Sequence, residues 1–175
     1  MQTDKISSLQ STLSTFWYPV ESNLRPCRLV VRKSSRAPET GLYLDHRDQS
    51  FWDFLFNPDH PKDVHEALVR FDRLVNRPEV TDCPFLLVAS EYPDPAHPVH
   101  RRVIEHKDKL LAYLIDLLKP FAIDRKAAAV RLLIVIDGAL SLRLVHGSAR
   151  EAPLLSSASA ILEAFQKPSR QRRRS

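Results

Sequence analysis

CPFLLVASEYPDPAHPVHRRVIEHK, residues 83–107, decides how this chain is read. Its first ten residues are short and apolar nearly all round, which predicts a buried helix. Pro93 and Pro95 then form a corner that no helix crosses, because an interior proline removes a hydrogen bond and clashes with the preceding turn. A helix opens again near Pro98, since proline is tolerated in a first turn. It runs to Leu118, with Val99, Val103, Ile104, Leu110, Leu111, Leu114 and Leu118 as its buried stripe.

Working outward, FWDFLF begins a helix that stops near Pro58. PKDVHEALVRFDRLVN places Val64, Leu68, Phe71 and Val75 on one helical face. Beyond Pro120, Asp124 is a good N-cap for a helix of about six turns over 125–146, and Gly147 is placed to stop it. A last helix covers roughly 152–166. On the N-terminal side, Ile6, Leu9, Leu13, Phe16 and Trp17 give a weak helix candidate over 1–20. Residues 20–50 show no sustained period, and Pro26 and Pro38 are expected to break any helix there. The fold class is all-α.

The 125–146 helix is apolar over most of its circumference and needs cover on several sides. Two copies of the last helix pair, packed as a four-helix bundle across a twofold axis, supply it. The expected homodimer contacts are Leu132, Val135, Ala139, Leu142, Leu155, Ala158 and Leu162. A central helix in a monomeric bundle is the competing reading.

Composition narrows the function. The chain has 175 residues, 3 Gly, 13 Pro and a formal charge of +5. So few glycines argue against phosphate-cradling loops and Rossmann folds. The tail carries Lys167, Arg170, Arg172, Arg173 and Arg174, which equals the whole net charge, so the body nets to zero. Cys27 and Cys83 form neither a disulfide framework nor a metal pattern. The N-terminus does not read as a signal peptide, and no apolar run is long enough to span a bilayer. A cytoplasmic protein without membrane partner is expected.

Cys83-Pro84-Phe85-Leu86, Ala89 to Pro95, His97-Pro98-Val99 and Glu105-His106-Lys107 together resemble the middle of the regulatory domain of TetR/AcrR-type transcriptional regulators. FDRLVNRPEV resembles the helix before that motif, and LLIVIDGALSLRLV, with Asp137-Gly138-Ala139, resembles the family's penultimate helix. The resemblance covers about 65–166. It implies an all-helical domain that dimerises through its last two helices, binds a small-molecule effector among its middle helices, and follows a helix-turn-helix head that binds operator DNA. The proline corner then either redirects the chain between two pocket-wall helices or is a rigid turn without ligand role. Leu87 stands where that branch often has a polar amide.

The resemblance fails at the head. The family's turn requires a glycine, and this chain has none before Gly41. Three readings stay open: a diverged head, a body that has lost DNA binding, or a coding sequence shifted in frame. The expected division is a degenerate head over 1–50, an effector-binding and dimerisation domain over 51–166, and a disordered basic tail over 167–175.

Candidate site residues follow. Arg28, Arg32, Lys33, Ser34 and Ser35 are candidate phosphate contacts, set against a solvated basic loop. Phe71, Phe85, Leu86, Tyr92 and Tyr113 are pocket candidates, with Glu91 and His106 as the polar groups such sites carry. His97, His100, Glu105 and His106 lack a zinc-site spacing. No nucleophile elbow is present, and a buried structural Cys83 outweighs a reactive one. A non-enzyme without metal or cofactor is expected.

Overall fold

The structure, a computed structural model, describes residues 37–149 and 151–166. Six α-helices make up the described fold: α1 (Ala37–Phe56), α2 (Val64–Val75), α3 (Pro84–Glu91), α4 (Pro98–Leu117), α5 (Arg125–His146) and α6 (Leu154–Phe165). No strand occurs among the described residues, so the all-α expectation holds. The weak helix over 1–20, all five candidate phosphate contacts and the basic tail lie outside the described residues.

Local chemistry explains the helix ends. Asp63 caps α2 by accepting from Glu66 N at 2.9 Å, while Glu66 accepts from Lys62 N at 3.0 Å, a reciprocal arrangement close to a capping box. Asp124 caps α5 through Ala127 N at 3.0 Å. Gly147 ends α5 at φ 59° and ψ −149°, a conformation that residues with a Cβ avoid. The His97 ring caps α4, accepting from Val99 N at 3.2 Å, and Pro98 occupies the first turn.

Two expectations are corrected. Residues 37–50 are helical: α1 starts well before 51 and runs through the expected division at 50. Pro38 does not break it, because it lies in the first turn, where its missing N–H has no helical partner to lose. And α3 is only half buried. Phe85 and Val88 face the core, whereas Leu86 and Leu87 are exposed. A helix of 8 residues lying on α1 and α4 has neighbours on one side only.

The apolar interior has two parts. The larger joins Trp52 and Leu55 of α1, Leu68 and Phe71 of α2, Leu110 and Leu114 of α4, Leu132 and Ile136 of α5, and Ala158 and Leu162 of α6. The smaller joins Leu44 of α1, Phe85 and Val88 of α3, Tyr92, and Val99 and Val103 of α4. Helices α1 and α4 contribute to both. Between Leu44 and Trp52 on α1 stands Asp48, and between Val103 and Leu110 on α4 stands His106. The seam between the two apolar clusters is therefore polar.

The proline corner is tied by its own side chains. The His97 N–H donates to Asp94 O and the Ala96 N–H to Asp94 Oδ1, each at 2.9 Å. His100 Nδ1 lies 2.5 Å from Tyr92 O. Three of its polar groups are thus spent on holding the turn.

Candidate functional site

Asp48 and His106 meet because two helical stripes face each other. On α4 the buried positions run Val99, Val103, His106, Leu110, Leu114; on α1 Gly41 and Leu44 precede Trp52 and Leu55. His106 Nδ1 lies 2.6 Å from Asp48 Oδ1. Asp48 also accepts from Trp52 Nε1 at 2.8 Å and from Lys109 Nζ at 3.0 Å. The imidazole is 5% exposed, lies flat on Phe85 with ring centres 3.6 Å apart, and meets the edge of Phe51 at 5.1 Å.

The protonation states follow from these contacts. Burial pushes the His106 imidazole below its ordinary value, against the pull of Asp48. Burial raises the Asp48 carboxyl, but the hydrogen bonds from His106, Lys109 and Trp52 together outweigh it and hold it below the ordinary carboxylate range. At neutral pH the pair is a neutral imidazole beside a carboxylate. Asp48 can only accept, so Nδ1 carries the proton and Nε2 keeps its lone pair. No described residue hydrogen-bonds Nε2.

A cleft of about 200 Å³ opens beside the pair, between α1, α3 and α4. Leu44, Asp45 and Asp48 line it from α1, Phe85 from α3, and Arg102, Glu105, His106 and Lys109 from α4. Arg102 pairs with Asp45 across the cleft.

Of the expected pocket residues, this cleft brings together Phe85 and His106 alone. Phe71 is enclosed in the larger core. Tyr92 is buried in the smaller one with its hydroxyl unpartnered. Tyr113 packs edge-on against Trp52 and Phe56, and burial pushes its unpartnered hydroxyl up to about 12. Leu86 is exposed, and Glu91 is half buried outside the cleft lining. Asp45, Asp48, Arg102 and Lys109 were not singled out in the sequence. The 3–4 spacing of Leu44, Asp48 and Trp52 was the signal available for Asp48.

Two further polar ties brace the site. Lys107 Nζ reaches Asp137 Oδ1 at 2.5 Å, joining α4 to α5 and linking two motifs that the sequence shows thirty residues apart. Lys107 Nζ also lies 3.9 Å from Cys83 Sγ; burial pushes that thiol up, so Cys83 is a buried thiol and not an activated one. Arg143, 2% exposed, donates from Nε to Val80 O at 3.2 Å and from Nη2 to Arg77 O at 2.9 Å, closing the end of α2 onto α5.

The expected dimer contacts divide in two. Leu132, Ala139, Ala158 and Leu162 are buried within the protomer, because α5 and α6 turn those faces toward α2 and each other, so they present nothing to a second copy. Val135 is half buried, and Leu142 and Leu155 are exposed.

No protein-family model matches the chain, and neither does any curated protein. Solved structures do. A TetR-family transcriptional regulator from Streptomyces coelicolor aligns at 26% identity with a TM-score of 0.63, over 71% of this chain and 65% of that one. A protein from Streptomyces avermitilis assigned to the TetR regulators aligns at 19% identity with a TM-score of 0.68, over 93% of this chain and 96% of that one. This is the TetR-regulator fold. The chain spans just under two thirds of the coelicolor protein. Within the TetR fold the Asp48–His106 pair joins the first described helix to the middle ones. No helix among the described residues is long and apolar enough to cross a membrane.

Proposed function

We propose that this chain is the effector-binding, dimer-forming body of a TetR-like transcriptional regulator. The observation that carries the reading is the position of the cleft. It lies between α1, the helix that leads back toward residues 1–36, and the α3–α4 pair, with Asp48–His106 as the direct tie. A small molecule in the cleft binds one spacing of α1 and α4 better than another, and shifts the population by that difference in affinity. The motion of α1 is then passed to whatever the N-terminal segment contacts. The body works as a homodimer in the cytoplasm, and the structural neighbours are regulators rather than enzymes.

DNA binding does not carry this reading. The absence of glycine before Gly41 favours a second one, in which the dimer binds effector and partner subunits without reading DNA. A mobility shift on the gene's own upstream DNA, run across a salt series, separates the two. Binding that depends on Arg28, Arg32 and Lys33 and weakens steeply with salt supports an active head. A shift that these substitutions leave intact, or no shift at low salt, supports the second reading. Sedimentation of the same sample tests both, since a monomer at micromolar concentration removes either version.

A further inference from the structure

The cleft beside α1 contains a specific imbalance. Its two cations are each paired with a carboxylate: Arg102 with Asp45, and Lys109 with Asp48. Two of its acceptors, His106 Nε2 and the Glu105 carboxylate, are not paired with a described residue. His106 is buried, its Nδ1 is committed to Asp48, and its Nε2 has no partner among the described residues. Glu105, on the same wall, has no hydrogen bond or ion pair with a described residue. The cation of Lys109 lies 4.6 Å over the Trp52 ring as well as on Asp48. His106 Nε2 keeps contact with solvent through the cleft, so an entering donor takes the place of water there.

We propose that the cleft takes a small organic cation, an ammonium or amidinium compound, that donates one N–H to His106 Nε2 and sets its charge against Glu105. The volume of about 200 Å³ equals roughly six or seven waters of bulk liquid, which limits the ligand to a small molecule. An anion meets three carboxylates, Asp45, Asp48 and Glu105, and the two cations of the lining are each already paired with one of them. The inference rests on the reading of this cleft as the effector site.

The test uses the full chain with ¹⁵N-labelled histidine, followed at the His106 ring nitrogens by NMR. Benzylammonium and methylguanidinium are titrated in, with benzyl alcohol, benzoate and Zn²⁺ as comparisons. Before titration, Nδ1 should be protonated and Nε2 bare. Either cation should then move the Nε2 signal, with benzoate inert. Glu105→Gln should weaken that response by about tenfold to a hundredfold, the range for a charged hydrogen bond. His106→Asn keeps a donor toward Asp48 and removes Nε2, so a matched melting temperature with lost cation binding supports the assignment. Should Asn fail to fold, the Glu105→Gln titration decides alone. A response to benzoate or benzyl alcohol in place of the cations keeps the effector cleft and overturns the ligand class. A response to Zn²⁺ alone makes it a metal site and also overturns it. Silence of His106 to every probe removes the cleft reading itself.

Discussion

At the scale of single residues, two buried polar groups, His106 and Arg143, do what apolar side chains do elsewhere on the same stripes. His106 is the one that titrates near neutrality. Its folded value lies below the ordinary 6.5, so the unfolded chain takes up the proton first. Its contribution is therefore full above about pH 6.5 and lost as the pH falls toward the depressed folded value. The melting temperature should drop between about pH 7 and pH 5, and His106→Asn should flatten that drop. Scanning calorimetry of both chains checks it; parallel pH profiles would assign the acid sensitivity to other groups. Asp48, also depressed, adds a loss of the same sign only below about pH 4.

Arg143 is the second such group. Its guanidinium spans two carbonyls, Val80 O and Arg77 O, with no carboxylate among the described residues near enough to pair. Arg143→Met leaves both carbonyls without this donor and should cost about 2 kcal/mol, near the value for a charged hydrogen bond. Arg143→Lys should rescue little, because one ammonium on a flexible stem does not reproduce the planar fork. Urea unfolding of the three proteins reads both numbers.

At the scale of elements, the apolar periods of α2, α4, α5 and α6 were legible because leucine, valine and phenylalanine mark their buried faces. The start of α1 was not. Its buried positions there are Gly41 and Leu44, followed by Asp48, so two of three slots on the stripe count as polar or blank. The site was half legible for the same reason. Phe85 and His106 stood out by type, whereas half-buried Asp48 joins the site through a histidine from a distant helix, and its place on the Leu44–Trp52 stripe is a weak local sign of that. The helix stops were plain, and two glycines separate their causes. A Cβ at Gly147 meets no atom within 4 Å, so the cost of Gly147→Ala is backbone strain alone, about 1–3 kcal/mol at that φ and ψ. Gly138 sits inside α5 with equally open space, and Gly138→Ala should stabilise the protomer by roughly 0.5–1 kcal/mol. Denaturant melts with opposite shifts confirm that geometry, not crowding, distinguishes them.

At the scale of the whole molecule, the apolar circumference of α5 was the argument for a dimer, and the burial pattern relocates where the contact belongs. Four of the seven expected residues are spent inside the protomer. The outward face instead carries Val130, Ile134, Gly138, Ser141 and Val145, at the spacings of three and four that keep residues on one side of a helix. Ile134 is 64% exposed and Val145 is 73% exposed, with Leu142, Leu144 and Leu155 of α6 also open. A patch of that kind is rarely left in water, and a twofold axis pairs the same patch on both copies. An aspartate at Ile134, in the middle of that face, would bury a charge in each copy's half of the contact. Ile134→Asp should therefore weaken self-association by at least about thirtyfold, the effect of losing a central interface residue worth about 2 kcal/mol, while helix content stays unchanged. Leu42→Asp, on the exposed surface of α1, a helix that packs on α2, α3 and α4, should leave the mass untouched. Sedimentation velocity over a concentration series decides: a wild-type chain that runs as a monomer, or an Ile134→Asp chain that dimerises as well as wild type, removes this face from the assembly.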